Sequence, residues 1–437
     1  MPTRQTADDA CPGALRLHAA ADGPLARVRL PGGMLTGRQL GVLAEIAAEH
    51  GDGALELTSR ANVQLRALRA DPTELAERLS GAGLLPSLAH ETVRNIAAPP
   101  LADAVTRGLV EALDRALCAD DVLAGLPGRF LFAVGRTAHS ADVAAVPARA
   151  GWAIVLGGAD VGIRVPDSHV VATMLAAAHG FLAERAGREP RPWRLREIPD
   201  GPRLIGERLT EAPLPEATTA EGLPTTEKLP SEAKLPSEAE LPSGAELPSG
   251  AELAPAGELA SGAELARTEE LAPAETRAAP LVGKLVGPGP SETAVGVLVP
   301  FGRLTGVHLR VLARAERLAV TPDGGVVILG LTAEAANRWT RELGEAGLVT
   351  EGDSKWVGVT TCAGRPGCGK ALADVRKDAD EAARFVDGRP VHWVGCERGC
   401  GSPAGRHVRV EATGDGYLVD GEAVRGDLGE VVAARRA

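Results

Sequence analysis

The chain has 437 residues and a formal net charge of −11. Residues 209–280 hold fourteen glutamates against four basic residues, so this segment alone contributes −10 and the remainder is nearly neutral. Aromatic residues make up only 3% of the chain, and no basic groove with stacking aromatics is evident, which argues against nucleic-acid binding. We find neither the apolar core of a signal peptide nor a run of about 18 apolar residues, so we expect a cytoplasmic protein without a membrane span.

Two parts of the chain repeat one pattern. Residues 31–44 (PGGMLTGRQLGVLA) and 300–313 (PFGRLTGVHLRVLA) share nine positions in the same order. Each block follows a strand-like run, LARVRL or AVGVLV, and begins a helix with Thr36 or Thr305 as the predicted N-cap. A second strand and a second helix follow in both parts. This ordered match indicates internal duplication rather than chance similarity between alanine-rich helices.

The second strand of the first copy, predicted within residues 54–68, alternates polar and apolar residues. The polar positions that would share one face of that strand are Arg60, Asn62, Gln64 and Arg66. A solvated strand face would give the same pattern. The second copy has Asp, Gly, Val and Leu at the corresponding positions, so the fold itself does not require the polar groups. Two arginines with two amides suit a ligand that bears several carboxylates.

The acidic segment between the copies is a repeat in which leucine recurs every six residues from Leu229 to Leu271. A six-residue period matches neither an α-helix nor a coiled coil, and the repeated prolines would break a helix. Bulky apolar residues are too sparse for a core, so we expect a disordered linker over residues 206–290 that divides the chain into two halves.

Four cysteines near the end of the chain carry the clearest chemical signal. They form two pairs in glycine-rich loops, one with five and one with three intervening residues: Cys362 and Cys368, then Cys396 and Cys400. Four thiolates from two turns are the ligands that an iron–sulfur cube needs. Structural zinc is the alternative, although its knuckles have two to four intervening residues, and disulfides fit a cytosolic chain poorly.

With these features the sequence resembles the sirohaem-dependent nitrite and sulfite reductase superfamily, whose [4Fe–4S] cluster is held by C-x5-C and C-x3-C. The resemblance implies an α+β fold that is internally duplicated, with two ferredoxin-like half domains and two larger α+β repeats split by the disordered linker. The implied segments are a first half domain (12–80), a first α+β domain (88–205), the linker (206–290), a second half domain (291–350) and a cluster-binding α+β domain (355–437).

The resemblance also implies roles for individual residues. The segment TSRANVQLR is similar to the family's tetrapyrrole-binding strand, so that Arg60, Asn62 and Gln64 would contact the macrocycle or its carboxylates. Arg94, in ETVRNI, resembles another arginine that meets tetrapyrrole carboxylates. Cys400 would be the cluster ligand nearest the macrocycle.

One departure favours a particular branch of the superfamily. Where the reductases have Lys-Phe-Lys, the segment LPGRFLF supplies Arg129, Phe130 and Leu131, so one of two basic residues is missing. Sulfite reduction needs cations around a small dianion, so this loss weakens stabilisation of the transition state. Arg129 is kept as a candidate binding residue. The short folded length and the opening Cys11-Pro12-Gly13 also resemble precorrin-3B synthase of aerobic cobalamin biosynthesis.

That branch implies a monooxygenase that uses O2 to hydroxylate precorrin-3A at C20, with closure of a γ-lactone. The implied partners are precorrin-3A, O2 and an electron donor, either a ferredoxin or an NAD(P)H-linked reductase. An additional non-haem iron is implied, but its ligands cannot be assigned from the sequence. Two alternatives stay open: a nitrite or sulfite reductase that holds sirohaem, and a non-catalytic iron–sulfur electron carrier or zinc protein.

Overall fold

A computed structural model describes residues 11–137, 141–211, 281–289, 291–403 and 405–437. The strands are β1 (His18–Ala20), β2 (Gly23–Val28), β3 (Met34–Thr36), β4 (Leu55–Leu57), β5 (Val63–Leu65), β6 (Ile96–Ala97), β7 (Phe132–Val134), β8 (Val143–Ala148), β9 (Gly151–Leu156), β10 (Ala159–Val165), β11 (Gly283–Val286), β12 (Thr293–Leu298), β13 (Arg303–Leu304), β14 (Arg317–Val320), β15 (Gly325–Leu331), β16 (Val359–Thr361), β17 (Val391–Val394), β18 (Val408–Thr413), β19 (Gly416–Val419) and β20 (Glu422–Ala423).

The α-helices connect and cover these strands. They are α1 (Gly37–His50), α2 (Pro72–Gly81), α3 (Ala104–Cys118), α4 (Asp167–Ala186), α5 (Gly201–Glu211), α6 (Gly306–Leu312), α7 (Ala333–Glu345), α8 (Val375–Ala382) and α9 (Leu428–Arg436). Within the described ranges, no helix has the length and apolar character needed to cross a membrane.

Four five-stranded sheets form two matching pairs. One pair has the orders β1-β2-β5-β4-β13 and β11-β12-β15-β14-β3, and both of these sheets are antiparallel throughout. The other pair has the orders β6-β7-β8-β9-β10 and β16-β17-β18-β19-β20. In each of these sheets the first three strands run parallel to one another, and each of the last two strands pairs antiparallel with the strand before it. The repeated topology confirms the predicted internal duplication.

Each half domain contributes one short strand to the sheet of the other. β3 of the first copy pairs with β14 of the second, with Leu35 opposite Leu318. β13 of the second copy pairs with β4 of the first, with Leu304 opposite Leu55. All four of these leucines are buried in one core. The two half domains therefore share one hydrophobic core, and neither completes its sheet from its own residues.

The predicted helix starts are present, and the first is fully capped. The hydroxyl of Thr36 accepts a hydrogen bond from the backbone N–H of Gln39 at 3.1 Å, and the Gln39 side chain accepts from the Thr36 N–H at 2.9 Å. This reciprocal pair is a capping box that fixes the start of α1. In the second copy, the backbone N–H of Thr305 donates to Nδ1 of His308 at 3.1 Å.

The predicted second strand is wrong in detail, because it is a hairpin of two strands in both copies. In the first copy β4 and β5 flank a turn in which the Thr58 N–H donates to the Asn62 carbonyl at 2.9 Å. Ala61 has a φ of 56° there, which reverses the chain. Arg60 therefore lies in the turn, and the four polar residues do not share one face of a strand.

Both ends of the predicted linker form regular elements. α5 continues through Glu211, and β11 begins at Gly283, so residues 206–211 and 283–286 belong to the fold. The hexapeptide repeat itself lies outside the described residues.

Gly37 gives a test of the strand exchange, because α1 begins there against the second half domain. Its N–H donates to the Ala315 carbonyl at 3.1 Å, and a Cβ at this position would lie 2.1 Å from that same oxygen. We expect Gly37→Ala to lower the free energy of unfolding by about 2 kcal/mol or more. The measurement is urea unfolding of the full chain.

Gly41 supplies the control on the same helix. A Cβ there would meet nothing within 4 Å, so Gly41→Ala should raise stability by up to about 1 kcal/mol through helix propensity. Equal effects of the two substitutions would contradict the close approach described at Gly37.

Candidate functional site

Three arginines of the first half domain, Arg27, Arg29 and Arg60, form a group that we call the arginine cluster. Arg29 is 3% exposed, and its Nε donates to the carbonyl oxygen of Thr92 at 3.4 Å. Its Nη1 has no hydrogen-bond partner among the described residues. Burial, followed by the charge of Arg27, lowers the pKa of Arg29 to about 9. The guanidinium is still protonated at neutral pH, so its charge is buried and incompletely compensated.

Glu91 is the carboxylate whose charge acts on Arg29. Its oxygens accept hydrogen bonds from the backbone N–H groups of Ala14, Leu15 and Arg16, at 2.6, 2.6 and 3.1 Å. Three backbone donors therefore stabilise this carboxylate already. Among the described residues no salt bridge joins it to Arg29, so the arginine cluster is a place where an added anion would be stabilised.

A further arginine, Arg194, lies near the arginine cluster and is paired with a carboxylate of its own. Burial, and then the neighbouring Arg194, lowers the pKa of Arg60. Arg194 is itself paired, with its Nε 2.7 Å from Oδ2 of the buried Asp142. Asp142 also accepts a backbone hydrogen bond from Leu131 at 2.8 Å, which ties the LPGRFLF segment to this region. Asp142 is thus paired with Arg194 rather than with Arg60.

Two predicted binding residues, Gln64 and Asn62, contact Arg27 and the residue that follows Arg29, respectively. Oε1 of Gln64 accepts from Nη2 of Arg27 at 2.6 Å, which fixes both side chains across β2 and β5. Asn62 is buried, and its Oδ1 accepts from the Leu30 backbone at 2.8 Å. The guanidinium of Arg129 lies 4.8 Å from the ring centroid of Trp193. The tetrapyrrole contacts of these residues stay predictions.

Two predicted binding arginines are engaged in intramolecular ion pairs. Nε and Nη2 of Arg94 donate to the two carboxylate oxygens of Asp114 at 2.7 and 2.6 Å, and Nη1 donates to a backbone carbonyl. Arg66 makes a similar two-point contact with Asp22 at 2.8 and 2.9 Å. In this conformation the donors of both guanidinium groups are engaged within the protein. Their contacts with tetrapyrrole carboxylates stay predictions.

Sequence reasoning missed Arg27 and Arg29 as site residues. Both lie in LARVRL, whose alternation predicts a strand but does not by itself single out a binding residue. The available signal was the same period of two that drew attention to residues 60–66. The burial of Arg29 could not be read from it, because its surroundings come from residues about sixty positions away.

The four predicted cysteine ligands lie in two loops at one end of a sheet. Cys362 follows β16 and Cys396 follows β17, and these strands are parallel neighbours, so both loops leave the same edge. The Cys362 N–H donates to the Trp393 carbonyl at 2.8 Å, and the Gly395 N–H donates to Cys362 Sγ at 3.2 Å. A backbone donor to sulfur is the interaction that tunes an iron–sulfur cluster.

The thiols are close enough to affect one another. Burial raises the pKa of Cys400, and the other three cysteines of the two loops raise it further. All four are free thiols. Across the described residues, no three Cys, His, Asp or Glu side chains form a ready single-ion site. Four soft thiolates from two loops are the donors that a [4Fe–4S] cluster takes, one for each iron.

An ion-pair network joins the first cysteine loop to the first half domain. Nη2 of Arg66 donates to the carbonyl of Gly367, the residue before Cys368, at 2.7 Å. Glu56 of β4 lies 3.6 Å from Arg66 Nη1 and 2.5 Å from Nη2 of Arg376 on α8. The strand that carries Glu56 also pairs with the exchanged strand β13. The network therefore connects the sheet next to the arginine cluster with the loop that carries the thiols.

Comparisons with known proteins agree with this architecture. Residues 18–79 match the family model of the nitrite/sulfite reductase ferredoxin-like half domain. The solved structure of the NirA protein of Mycobacterium tuberculosis superposes with a TM-score of 0.62 and 19% identity, covering 91% of this chain and 73% of that one. The chain has the nitrite/sulfite reductase-like fold.

Curated relatives match over shorter stretches. The ferredoxin–nitrite reductase of Synechococcus elongatus is 33% identical over 181 residues, which is 36% of this chain and 35% of the relative. That of Leptolyngbya laminosa is 34% identical over 155 residues, 30% of each chain. The chain thus spans about a third of the length of these relatives.

These relatives overturn the expected assignment to precorrin-3B synthase. They are ferredoxin–nitrite reductases, and the superposed structure is NirA. The monooxygenase reaction on precorrin-3A is therefore the wrong reading, and the departure at Leu131 does not mark that branch. The additional non-haem iron was expected only through the same branch.

Arg66 offers a test of the network. Replacing it with leucine would leave Asp22 without its ion-pair partner and Glu56 with Arg376 alone, so we expect Arg66→Leu to lower the free energy of unfolding by about 3 kcal/mol. Arg78→Leu removes surface pairs with Glu45 and Glu49 and should cost at most about 1 kcal/mol. Chemical unfolding of both variants measures the difference. Equal losses would show that the network does not join these parts of the fold.

Proposed function

We propose that the chain is an oxidoreductase of the sirohaem type that reduces a small oxyanion, and that nitrite is its preferred substrate. The proposal is supported by the arginine cluster, by the four thiols in paired loops, and by the relatives that are ferredoxin–nitrite reductases. Because the chain matches only about a third of those relatives, its activity is inferred from its own residues.

Arg29 carries the proposal. It is a buried cation whose Nη1 has no partner among the described residues, and Glu91, the carboxylate whose charge acts on it, is already stabilised by backbone donors. A buried, uncompensated guanidinium is costly to folding and is kept where an anion supplies the missing charge. The fork of donors matches the oxygens of nitrite or of a carboxylate.

The number of positive charges favours nitrite over sulfite. The segment that carries two lysines in the resembled reductases supplies Arg129 and Leu131 here. Leu131 is 3% exposed and packs with Ala97, Ala133 and Ala141, so it adds only apolar surface. Fully deprotonated sulfite is a dianion and needs more compensating charge than the singly charged nitrite. One cation fewer should therefore reduce sulfite turnover more than nitrite turnover.

The cofactors follow from the donor chemistry of the site. The thiols of Cys362, Cys368, Cys396 and Cys400 would hold a [4Fe–4S] cluster, and the arginine cluster with Gln64 would meet the carboxylates of a sirohaem. When bound, these groups would supply the iron that holds the anion and the path by which electrons reach it. The electron donor that we propose is a ferredoxin, as in the names of the relatives, with an NAD(P)H-linked reductase as the other source.

The residues of the chain then have separate tasks. Arg29 binds and orients the anion or a macrocycle carboxylate through its free Nη1. Gln64 holds the guanidinium of Arg27 in place, which keeps a second positive charge beside Arg29 in the arginine cluster. Burial around Arg29 limits water and so strengthens each charge interaction in the site.

The test is reduction of nitrite and of sulfite by the anaerobically purified full chain with reduced methyl viologen as electron source. We expect Arg29→Gln to lower kcat/KM for nitrite by about 100-fold or more, because a charged donor to the anion is lost. Arg38→Gln, on the exposed face of α1, is the matched control and should keep kcat/KM within about twofold.

A stability measurement separates a binding role from a packing role. Since Arg29 is a buried cation without full compensation, Arg29→Gln should leave the thermal midpoint of the ligand-free chain unchanged or raised. A wild-type chain that reduces neither anion would contradict the proposed function. So would an Arg29→Gln variant that keeps full nitrite activity.

A further inference from the structure

His392 on β17 connects the core of the last sheet to the second cysteine loop. It is 1% exposed, and both of its ring nitrogens have partners. Nδ1 lies 2.9 Å from the hydroxyl of Thr360 on the neighbouring strand β16, and Nε2 lies 3.0 Å from the carbonyl oxygen of Cys400. The imidazole therefore bridges a buried strand and the backbone of a predicted cluster ligand.

The partners determine which nitrogen carries the proton. A carbonyl oxygen can only accept, so Nε2 must donate to Cys400. Nδ1 of the neutral ring is then an acceptor, and the hydroxyl of Thr360 can donate to it. Every polar group of the buried ring is satisfied in this tautomer, which is the condition for keeping a histidine inside a core.

The loop that His392 contacts is also held by Arg409, whose Nη2 donates to the Glu397 carbonyl at 2.8 Å, and by Ser402, whose hydroxyl donates to the Gly399 carbonyl at 2.8 Å. Gly399 and Gly401 on either side of Cys400 have φ values of 60° and 83°, in the left-handed region. A Cβ at Gly401 would lie 3.5 Å from Cε1 of His392, so the loop passes directly over the ring. Cys400 is exposed. These other contacts are made to Glu397 and Gly399, whereas His392 contacts the Cys400 carbonyl itself. Between two glycines, the Cys400 backbone has few intrinsic restraints, so this hydrogen bond would restrict its position.

We propose that His392 is a positioning residue for the second cysteine loop: it holds the Cys400 backbone and thereby fixes the Cys400 thiol for cluster binding. The cluster part of this proposal rests on the proposed function. The loop part does not, because it concerns only the contact between the ring and the Cys400 carbonyl. Two readouts, one without and one with a cluster, keep these parts distinguishable.

The first experiment is hydrogen exchange of the peptide covering residues 396–402 in the cluster-free full chain. His392→Phe keeps a ring in the core but loses both hydrogen bonds, and it should speed exchange of this peptide by about fivefold to tenfold. His392→Gln keeps a donor at the place of Nε2 and should restore exchange to within about twofold of wild type. His407→Gln, at the neighbouring ring, is the control and should behave as wild type.

The second experiment loads the same four proteins with iron and sulfide under anaerobic conditions. We expect the His392→Phe cluster to decay about fivefold faster in air, as followed by absorbance, and the glutamine variant to decay like wild type. Equal exchange and equal decay in wild type and His392→Phe would overturn the proposal. Equal impairment of the phenylalanine and glutamine variants would overturn it too, because that result is expected of packing alone.

A wild-type chain that forms no iron–sulfur cluster would count against the proposed function. The hydrogen exchange rate of residues 396–402 would still decide whether His392 holds the loop.

Discussion

The exchange of one short strand between the half domains is the constraint on which the rest of the structure depends. β3 completes the sheet of the second copy, and β13 completes that of the first. Because β13 pairs with β4, the hairpin that carries Arg60 and Gln64 is held between its own half domain and the other one. Edge strands that would otherwise be unpaired are covered in both sheets.

From this shared core, polar contacts extend towards the two ends of the site. On one side, β2 and β5 bring Arg27 and Gln64 together next to the buried Arg29. On the other, Glu56 of β4 and Arg66 reach the loop before Cys368 and the start of α8. A single sheet thus contacts both the cationic group and the loop that carries Cys362 and Cys368. The unpaired Nη1 of Arg29 is a cost to folding that this well-packed core can offset.

Much of this could be predicted from the sequence, because it rests on local patterns. The shared nine positions predicted the duplication, and Thr36 predicted the start of α1. The cysteine spacing predicted two loops, and the parallel pairing of β16 and β17 brings them to one edge. These features are local in the sequence, so they could be read without knowing the tertiary contacts.

What could not be predicted depends on partners distant in sequence. Alternation over residues 54–68 suggested one strand, but the turn at Ala61 divides it. Nothing near Arg94 or Arg66 reveals their ion pairs with Asp114 and Asp22, which lie 20 and 44 positions away. The burial of Arg29 likewise arises from the tertiary fold. The resemblance predicted the fold correctly but the branch of the superfamily incorrectly. The loss of one basic residue at Leu131 changes the charge at one position and does not identify a reaction.

The most direct test of the account is a cofactor analysis of the anaerobically purified full chain, with absorption and EPR spectra, labile sulfide and extractable tetrapyrrole measured on one sample. The account predicts a reducible [4Fe–4S] signal, about four labile sulfides per chain and a bound sirohaem whose spectrum shifts when nitrite is added. Zinc in place of iron, or a cluster without any sirohaem and without a response to nitrite, would contradict it.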